Sequence, residues 1–300
     1  MKTAFAIIAA AALTAASPVK RAAITDADIL NYALTLEHLE DTFYREGLQK
    51  YTEADFAAAG FDSTFYTNLK EVSYDEATHV SFLTSALSAA GASPVAACTY
   101  NFGYDSVETF VATAGVLEGV GVSAYLGAAA SIVDKTYLTA AGSVLTVESR
   151  HSSYLRAAQD QSPFPQAFDA PLTFNEVYTL AAPFIVSCPE SNAPLPVKAF
   201  PMLALSSTDA LKTGSTVEFT ASGYSVTGDV PLYAAWIAVT GPTFAPVTVG
   251  SDGKTFSTTV PEGFHGQSYL VLTTCSDKVT DDTTTAGPLL VEITGTQGSP

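Results

Sequence analysis

Four long helical segments followed by six or seven short strands predict a mainly α fold with a β tail. The expected architecture is an antiparallel four-helix bundle with a short fifth helix, then an immunoglobulin- or fibronectin-like β-sandwich. Three observations carry this. Residues 22 to about 190 are rich in Ala and Leu, with apolar side chains at helical spacing. Beyond Pro194 the texture changes to short runs rich in Val, Thr, Phe and Tyr. Pro194-Leu195-Pro196 marks the join. The expected organisation is therefore 1–21 for processing, 22–190 for the bundle and 191–300 for the sandwich.

The 300 residues are 47% hydrophobic and 14% charged, a composition that can bury one or two cores. Thirteen basic residues stand against 30 acidic ones, a net charge of −17. A phosphate-binding face needs clustered positive charge, so nucleic acid is not an expected partner. Three cysteines with no Cys-x-x-Cys exclude a disulfide scaffold and a thiolate zinc site.

The first 21 residues read as a processing segment. Lys2 precedes an apolar run, Ala4 to Leu13, and small residues follow at Thr14-Ala15-Ala16, the pattern of a secretory signal peptide. The run is too short for a membrane span. Lys20-Arg21 then reads as a dibasic processing site before Ala22. Cleavage there removes three basic residues and no acid, taking the net charge from −17 to −20. The expected location is secreted, extracellular or at the cell wall, with no transmembrane segment.

The helices follow in order. Ala22 to Lys50 carries Ile29, Leu34, Leu36, Leu39 and Phe43 on one broad stripe, and Thr25 with Asp28 resembles a capping box. A second helix is expected from Ser63 to Ala90, stopped by Gly91 and Pro94. Asp105-x-x-Glu108 opens a third, apolar to about Val133, and Asp134 caps a fourth that runs to about Gln159. Pro163, Pro165 and Pro171 break the chain. A fifth helix is expected over Thr173 to Val186, ended or kinked at Pro183. In the tail, strands are expected at Thr216–Ala221, Leu232–Val239, Phe256–Val260, Ser268–Thr274 and Leu289–Ile293. A hairpin turn at Ser251-Asp252-Gly253 joins Val247-Thr248-Val249 to Phe256. Trp236, the single tryptophan, is expected in the core.

The chemistry concentrates in the helices. Three of the four histidines follow a Glu by three residues; two of these pairs lie on expected helices, Glu76 with His79 and Glu148 with His151, and the third, Glu262 with His265, lies in an expected loop. Residues three apart share a helix face, so each helical pair presents a carboxylate and an imidazole to one point. The third helix holds one acid, Glu118, between Phe110 and Val133. A carboxylate inside an apolar helix is expensive unless paired, neutralised or bound to a metal. The first helix offers Glu37 and Glu40. Tyr44 follows Glu37 by seven residues, as Tyr125 follows Glu118, and this parallel selects Glu37, with Glu40 the alternative. The halves thus form a weak repeat, a Glu with a Tyr and then a Glu-x-x-His. A Glu from each of two helices and a Glu-x-x-His from each of the other two is the ligand pattern of di-iron and di-manganese carboxylate bundles. Carboxylate and imidazole without thiolate suit iron or manganese, with zinc the alternative. Tyr44 and Tyr125 are candidates for hydrogen bonds to the ligand carboxylates. Gly115, Gly119 and Gly121 flank Glu118 and leave room for close helix packing or for a small oxidant.

Leu34-Thr35-Leu36-Glu37-His38-Leu39-Glu40 with Phe43-Tyr44, Ala97-Cys98-Thr99-Tyr100-Asn101-Phe102 and Ile185-Val186-Ser187-Cys188-Pro189 resemble motifs of the fungal secreted ferritin-like domain proteins. That family includes stress-response and late-sexual-development proteins and is similar to plant desiccation-related proteins. The resemblance covers about residues 24 to 190. It implies a ferritin-like bundle, the metal ligands Glu37, Glu76, His79, Glu118, Glu148 and His151, and two Fe or two Mn ions.

The expected function is redox chemistry on peroxide or oxygen, or iron handling, as a ferroxidase or a peroxide-disproportionating oxidoreductase. A reading of another class is a non-catalytic extracellular protein with a structural or vestigial metal site, whose β domain attaches to a cell wall or protein partner. A closed storage shell fits poorly with secretion and a hundred-residue appended domain. In a secreted protein Cys98 and Cys188 are expected as a disulfide, leaving Cys275 buried in a strand. His38 points away from Glu37, and His265 is expected in a loop.

Overall fold

The computed structural model describes residues 24–207, 209–228 and 230–298. The expected signal and processing segment lies outside them. The bundle is built from α1 (Asp26–Lys50), α3 (Ser63–Ala89), α4 (Val107–Ala128) and α5 (Lys135–Ala158), with a short α2 (Glu53–Ala58) between the first two. α1 packs along α3 and α4 along α5, and the two pairs meet through α1 against α4 and α3 against α5. Caps set the helix starts. Thr25 and Asp28 form the expected capping box, and Asp62 and Asp134 accept from the first turns of α3 and α5.

Three local expectations are corrected. α2 escaped the apolar periodicity because it is six residues long, although Thr52 and Asp55 form a capping box at its start. α4 is capped by Ser106 with Thr109, one residue later than expected, where two overlapping cap signals compete. The fifth helix, α6 (Phe174–Ala181), gives way to a 3-10 turn containing Pro183. The chain then forms β2 (Ile185–Ser187), antiparallel to β1 (Thr99–Tyr100). The Cys98–Cys188 disulfide lies beside this pair and ties the chain just past β2 to the α3–α4 loop.

The tail forms two four-stranded antiparallel sheets. One holds β3 (Met202–Leu205), β4 (Thr216–Ser222), β8 (Thr255–Thr259) and β7 (Thr248–Val249). The other holds β10 (Thr284–Ile293), β9 (Gly266–Thr273), β5 (Tyr233–Trp236) and β6 (Thr243–Pro246). The hairpin turn forms as expected, with Gly253 at φ 65° and Asp252 accepting from the amides of Lys254 and Thr255. β3 and β6 are additional strands. Cys275 lies past the end of β9 and is half-buried, its thiol against Asp277, so burial in a strand is not observed.

The β10-containing sheet is buried on both faces. Leu270 and Leu272 point into the sandwich core with Phe219, Trp236 and Phe256. Tyr269 and Val271, on the opposite face by strand alternation, pack against Tyr32, Val120 and Ala124 of the bundle. Polar contacts fix this docking. Tyr269 donates to the carbonyl of Gly119, Gln267 donates to the carbonyl of Val116, and Arg156 forms a bidentate pair with Glu292 at 2.7 and 3.0 Å. A Cβ on Gly119 would stand 2.5 Å from the Gln267 amide, so any side chain there would push that amide off its bonds to Val116 and Tyr269. This docking accounts for the apolar character of α4. Val107–Ser131 is long and apolar enough to cross a bilayer by length and composition, but its most apolar window is 67% buried in the fold.

Candidate metal centre

Six side chains from four helices converge at the middle of the bundle. α1 supplies Glu37, α3 supplies Glu76 and His79, α4 supplies Glu118, and α5 supplies Glu148 and His151. The four carboxylates are fully buried, and the imidazoles nearly so. Their ligand atoms form two quartets, each within 4.8 Å. One is Glu37, Glu76, His79 and Glu148; the other is Glu76, Glu118, Glu148 and His151. Glu76 and Glu148 belong to both. The Glu-x-x-His spacing brings the two residues of each pair into the cluster, but within it their roles divide. The glutamates are central and the histidines stand at opposite ends.

Both imidazoles face the cluster through Nδ1. His79 Nδ1 lies 3.2 Å from Glu37, 3.3 Å from Glu76 and 3.4 Å from Glu148. His151 Nδ1 lies 3.1 Å from Glu76 and 3.3 Å from Glu118. The far nitrogen of His151, Nε2, meets Asp75 at 3.1 Å. Asp75 was not anticipated. It directly precedes Glu76 and so points about 100° away on the helix, a placement that reads as solvent-facing until α5 is positioned.

The tyrosines cross over. Tyr44 of α1 donates to Glu118 of α4, and Tyr125 of α4 donates to Glu37 of α1. α1 and α4 run antiparallel, so each Tyr, seven residues beyond its own helix's Glu, lands level with the Glu opposite. Glu40 joins neither quartet, although it is buried. His38 bonds the carbonyl of Val95 instead, and His265 sits in the loop before β9.

The electrostatics are those of a site short of positive charge. Burial, then the neighbouring carboxylates, raise Glu148 and Glu40 well above the ordinary range. Burial pushes Glu76 up to about 7 against the lowering effect of both imidazoles. Burial would lower His151, but Glu118 and Glu76 hold it at about 11. His79 is likewise raised by Glu148, Glu37 and Glu76. Even so, six buried atoms of these residues lack a hydrogen bond of good geometry: Glu37 Oε2, Glu76 Oε1, Glu118 Oε2, both oxygens of Glu148, and His151 Nδ1. All six belong to the converging residues. Buried polar atoms are rarely left without a partner, and here oxygen and nitrogen donors converge without sulfur. That set fits hard or borderline divalent cations such as iron and manganese.

Comparison with known proteins agrees with this arrangement. Residues 25–161 match the family described as ferritin-like domain. The helical half has a ferritin-like fold. All six converging residues fall inside the match, and the two sheets of the tail lie outside it. Over most of its length the chain is also similar to protein rds1 of Schizosaccharomyces pombe (strain 972). The two are 25% identical, and the alignment covers 89% of this chain and 80% of that protein.

Proposed function

We propose that the bundle holds two iron or manganese ions and that the protein is a secreted redox protein working on peroxide, dioxygen or iron. The observation that carries this reading is the sharing of Glu76 and Glu148 between two quartets of buried ligand atoms. Two shared carboxylates between two end groups, Glu37 with His79 and Glu118 with His151, are what a pair of ions requires. Charge agrees. Four carboxylates and two neutral imidazoles are balanced by two divalent cations, whereas without them the like charges crowd a low-dielectric interior.

Two such ions, when bound, supply electron exchange with a small oxidant. The protein's own groups orient the site. Tyr125 and Tyr44 each occupy one oxygen of Glu37 and Glu118, leaving the other oxygen of each turned inward. Asp75 accepts from Nε2 of His151, which fixes the tautomer with Nδ1 free to ligate. The disulfide and the sequence character of residues 1–21 support secretion. A role in stress or development rests on the family resemblance.

The test is the metal content of protein purified from a secretory host without chelators, beside Glu76→Ala and His151→Ala. The expected result is about two equivalents of iron or manganese in the wild type and a loss in both variants. Wild type that takes up neither ion on reconstitution contradicts the reading.

A further inference from the structure

Among the described residues, Glu40 is a buried bundle acid that joins neither quartet and lines a cavity. It lies a turn beyond Glu37 on α1 and is 4% exposed. Its side chain lines a cavity of about 190 Å³. The walls are Leu36 of α1, Val116 and Val120 of α4, Leu180 and Phe184 from α6 and the turn after it, and Leu290 of β10. Glu40 is the single polar side chain among the described lining residues.

Gly121 lines this cavity and borders the centre. A Cβ there would stand 2.9 Å from Glu148 Oε2 and 3.2 Å from Glu40 Oε1. Glu148 Oε2 is one of the buried atoms with no hydrogen bond, and Glu148 is common to both quartets. The three glycines around Glu118 therefore divide their work. A Cβ on Gly115 would meet Gln159 and one on Gly119 would meet Gln267 of the sandwich, whereas Gly121 leaves open the space between Glu40 and Glu148.

We propose that this cavity is the route by which a small uncharged molecule of dioxygen's size reaches the centre, with Gly121 setting its width beside the centre. An apolar wall of this kind rejects ions. A hydrated Fe²⁺ would have to shed water against hydrocarbon with one carboxyl to replace it. Peroxide would lose hydrogen bonds for the same reason. Apolar cavities instead take up apolar molecules and stay dry. Because Leu180, Phe184 and Leu290 line it, α6 with the turn after it and the sandwich build the route together with the bundle. The proposal rests on the dinuclear reading and selects dioxygen among its oxidants.

The test has two arms. Crystals of the full described chain are pressurised with xenon, and the iron-loaded, reduced protein is mixed with dioxygen in a stopped-flow cell. Leu180→Trp fills the cavity without touching a ligand, and Val116→Phe does so from α4 if the first variant folds poorly. The expected result is a xenon peak between Val116, Leu180 and Glu40 in the wild type, absent from the filled variant. Reoxidation in that variant should be at least about tenfold slower, with iron content unchanged, as a blocked route requires. The absence of xenon in the wild type, or unchanged reoxidation in a variant that has lost it, overturns the route alone. Wild type that takes up no metal overturns the dinuclear reading and the route with it, even with xenon bound.

Discussion

Removing the two tyrosine hydroxyls should weaken metal binding one ion at a time. Tyr125 donates to Glu37, which belongs only to the His79 quartet, and Tyr44 donates to Glu118, which belongs only to the His151 quartet. Each substitution to Phe keeps the ring and leaves one buried carboxylate oxygen without its partner. A hydrogen bond to a charged group contributes about 1.5–3 kcal/mol, which converts to about a 10- to 150-fold loss of affinity. That range agrees with the about 10- to 100-fold effects of losing a ligand's hydrogen-bonded neighbour. The assay is competition between the loaded protein and a graded series of chelators, read as metal content. Tyr125→Phe and Tyr44→Phe should each release one ion well before the other, and the double variant should release both early. Simultaneous loss of both ions in each single variant, or wild-type retention in the double, would refute the crossed arrangement.

Further expectations concern stability. Without metal, Glu40, Glu76 and Glu148 and both ligand histidines bind protons more tightly folded than unfolded. Their contribution is therefore complete below the unfolded values, 4.5 for the glutamates and 6.5 for the histidines. It is lost as pH rises through about 7 for Glu76 and toward about 11 for His151. Calorimetry should show the metal-free Tm falling from pH 6 to pH 9, with metal restoring it most at the higher pH because the ligands must give up protons to bind; a Tm that rises over that range without metal contradicts this. Gly119→Ala forces a methyl group toward the Gln267 amide and should cost about 1–3 kcal/mol in denaturant unfolding, whereas Gly142, with open space around it, should tolerate Ala. Replacing Cys98 and Cys188 by Ser opens a loop whose ends are 90 residues apart and should lower the unfolding free energy by about 2–5 kcal/mol, read as a shift in denaturant midpoint.

Much of this site is legible in the sequence because burial of charge leaves a mark. Glu118 stands alone in an apolar helix, and the two helical Glu-x-x-His pairs repeat in the same order with the same chemistry. What the sequence does not carry is relative position. That Glu76 and Glu148 are shared, that the tyrosines serve the opposite helix, and that Asp75 holds His151 all depend on the register of antiparallel helices. Sequence spacing within one helix cannot encode that register. Glu40 shows the same limit. Its spacing made it an alternative to Glu37, and only the packing of α4 at Gly121 separates the cavity-facing acid from the ligand. In the tail, strand alternation identified β4 and β8, whose burial alternates along the chain. It missed β3, four residues long with a single buried side chain.

The central claim is two ions sharing Glu76 and Glu148, and anomalous diffraction from crystals of metal-reconstituted protein tests it most directly. Data on either side of the iron or manganese absorption edge should show two peaks in the bundle. One should lie among Glu37, His79, Glu76 and Glu148, and the other among Glu118, His151, Glu76 and Glu148, with carboxylate oxygens at about 2.0–2.2 Å as for first-row divalent ions. A single peak, peaks away from these residues, or none after reconstitution would contradict the account.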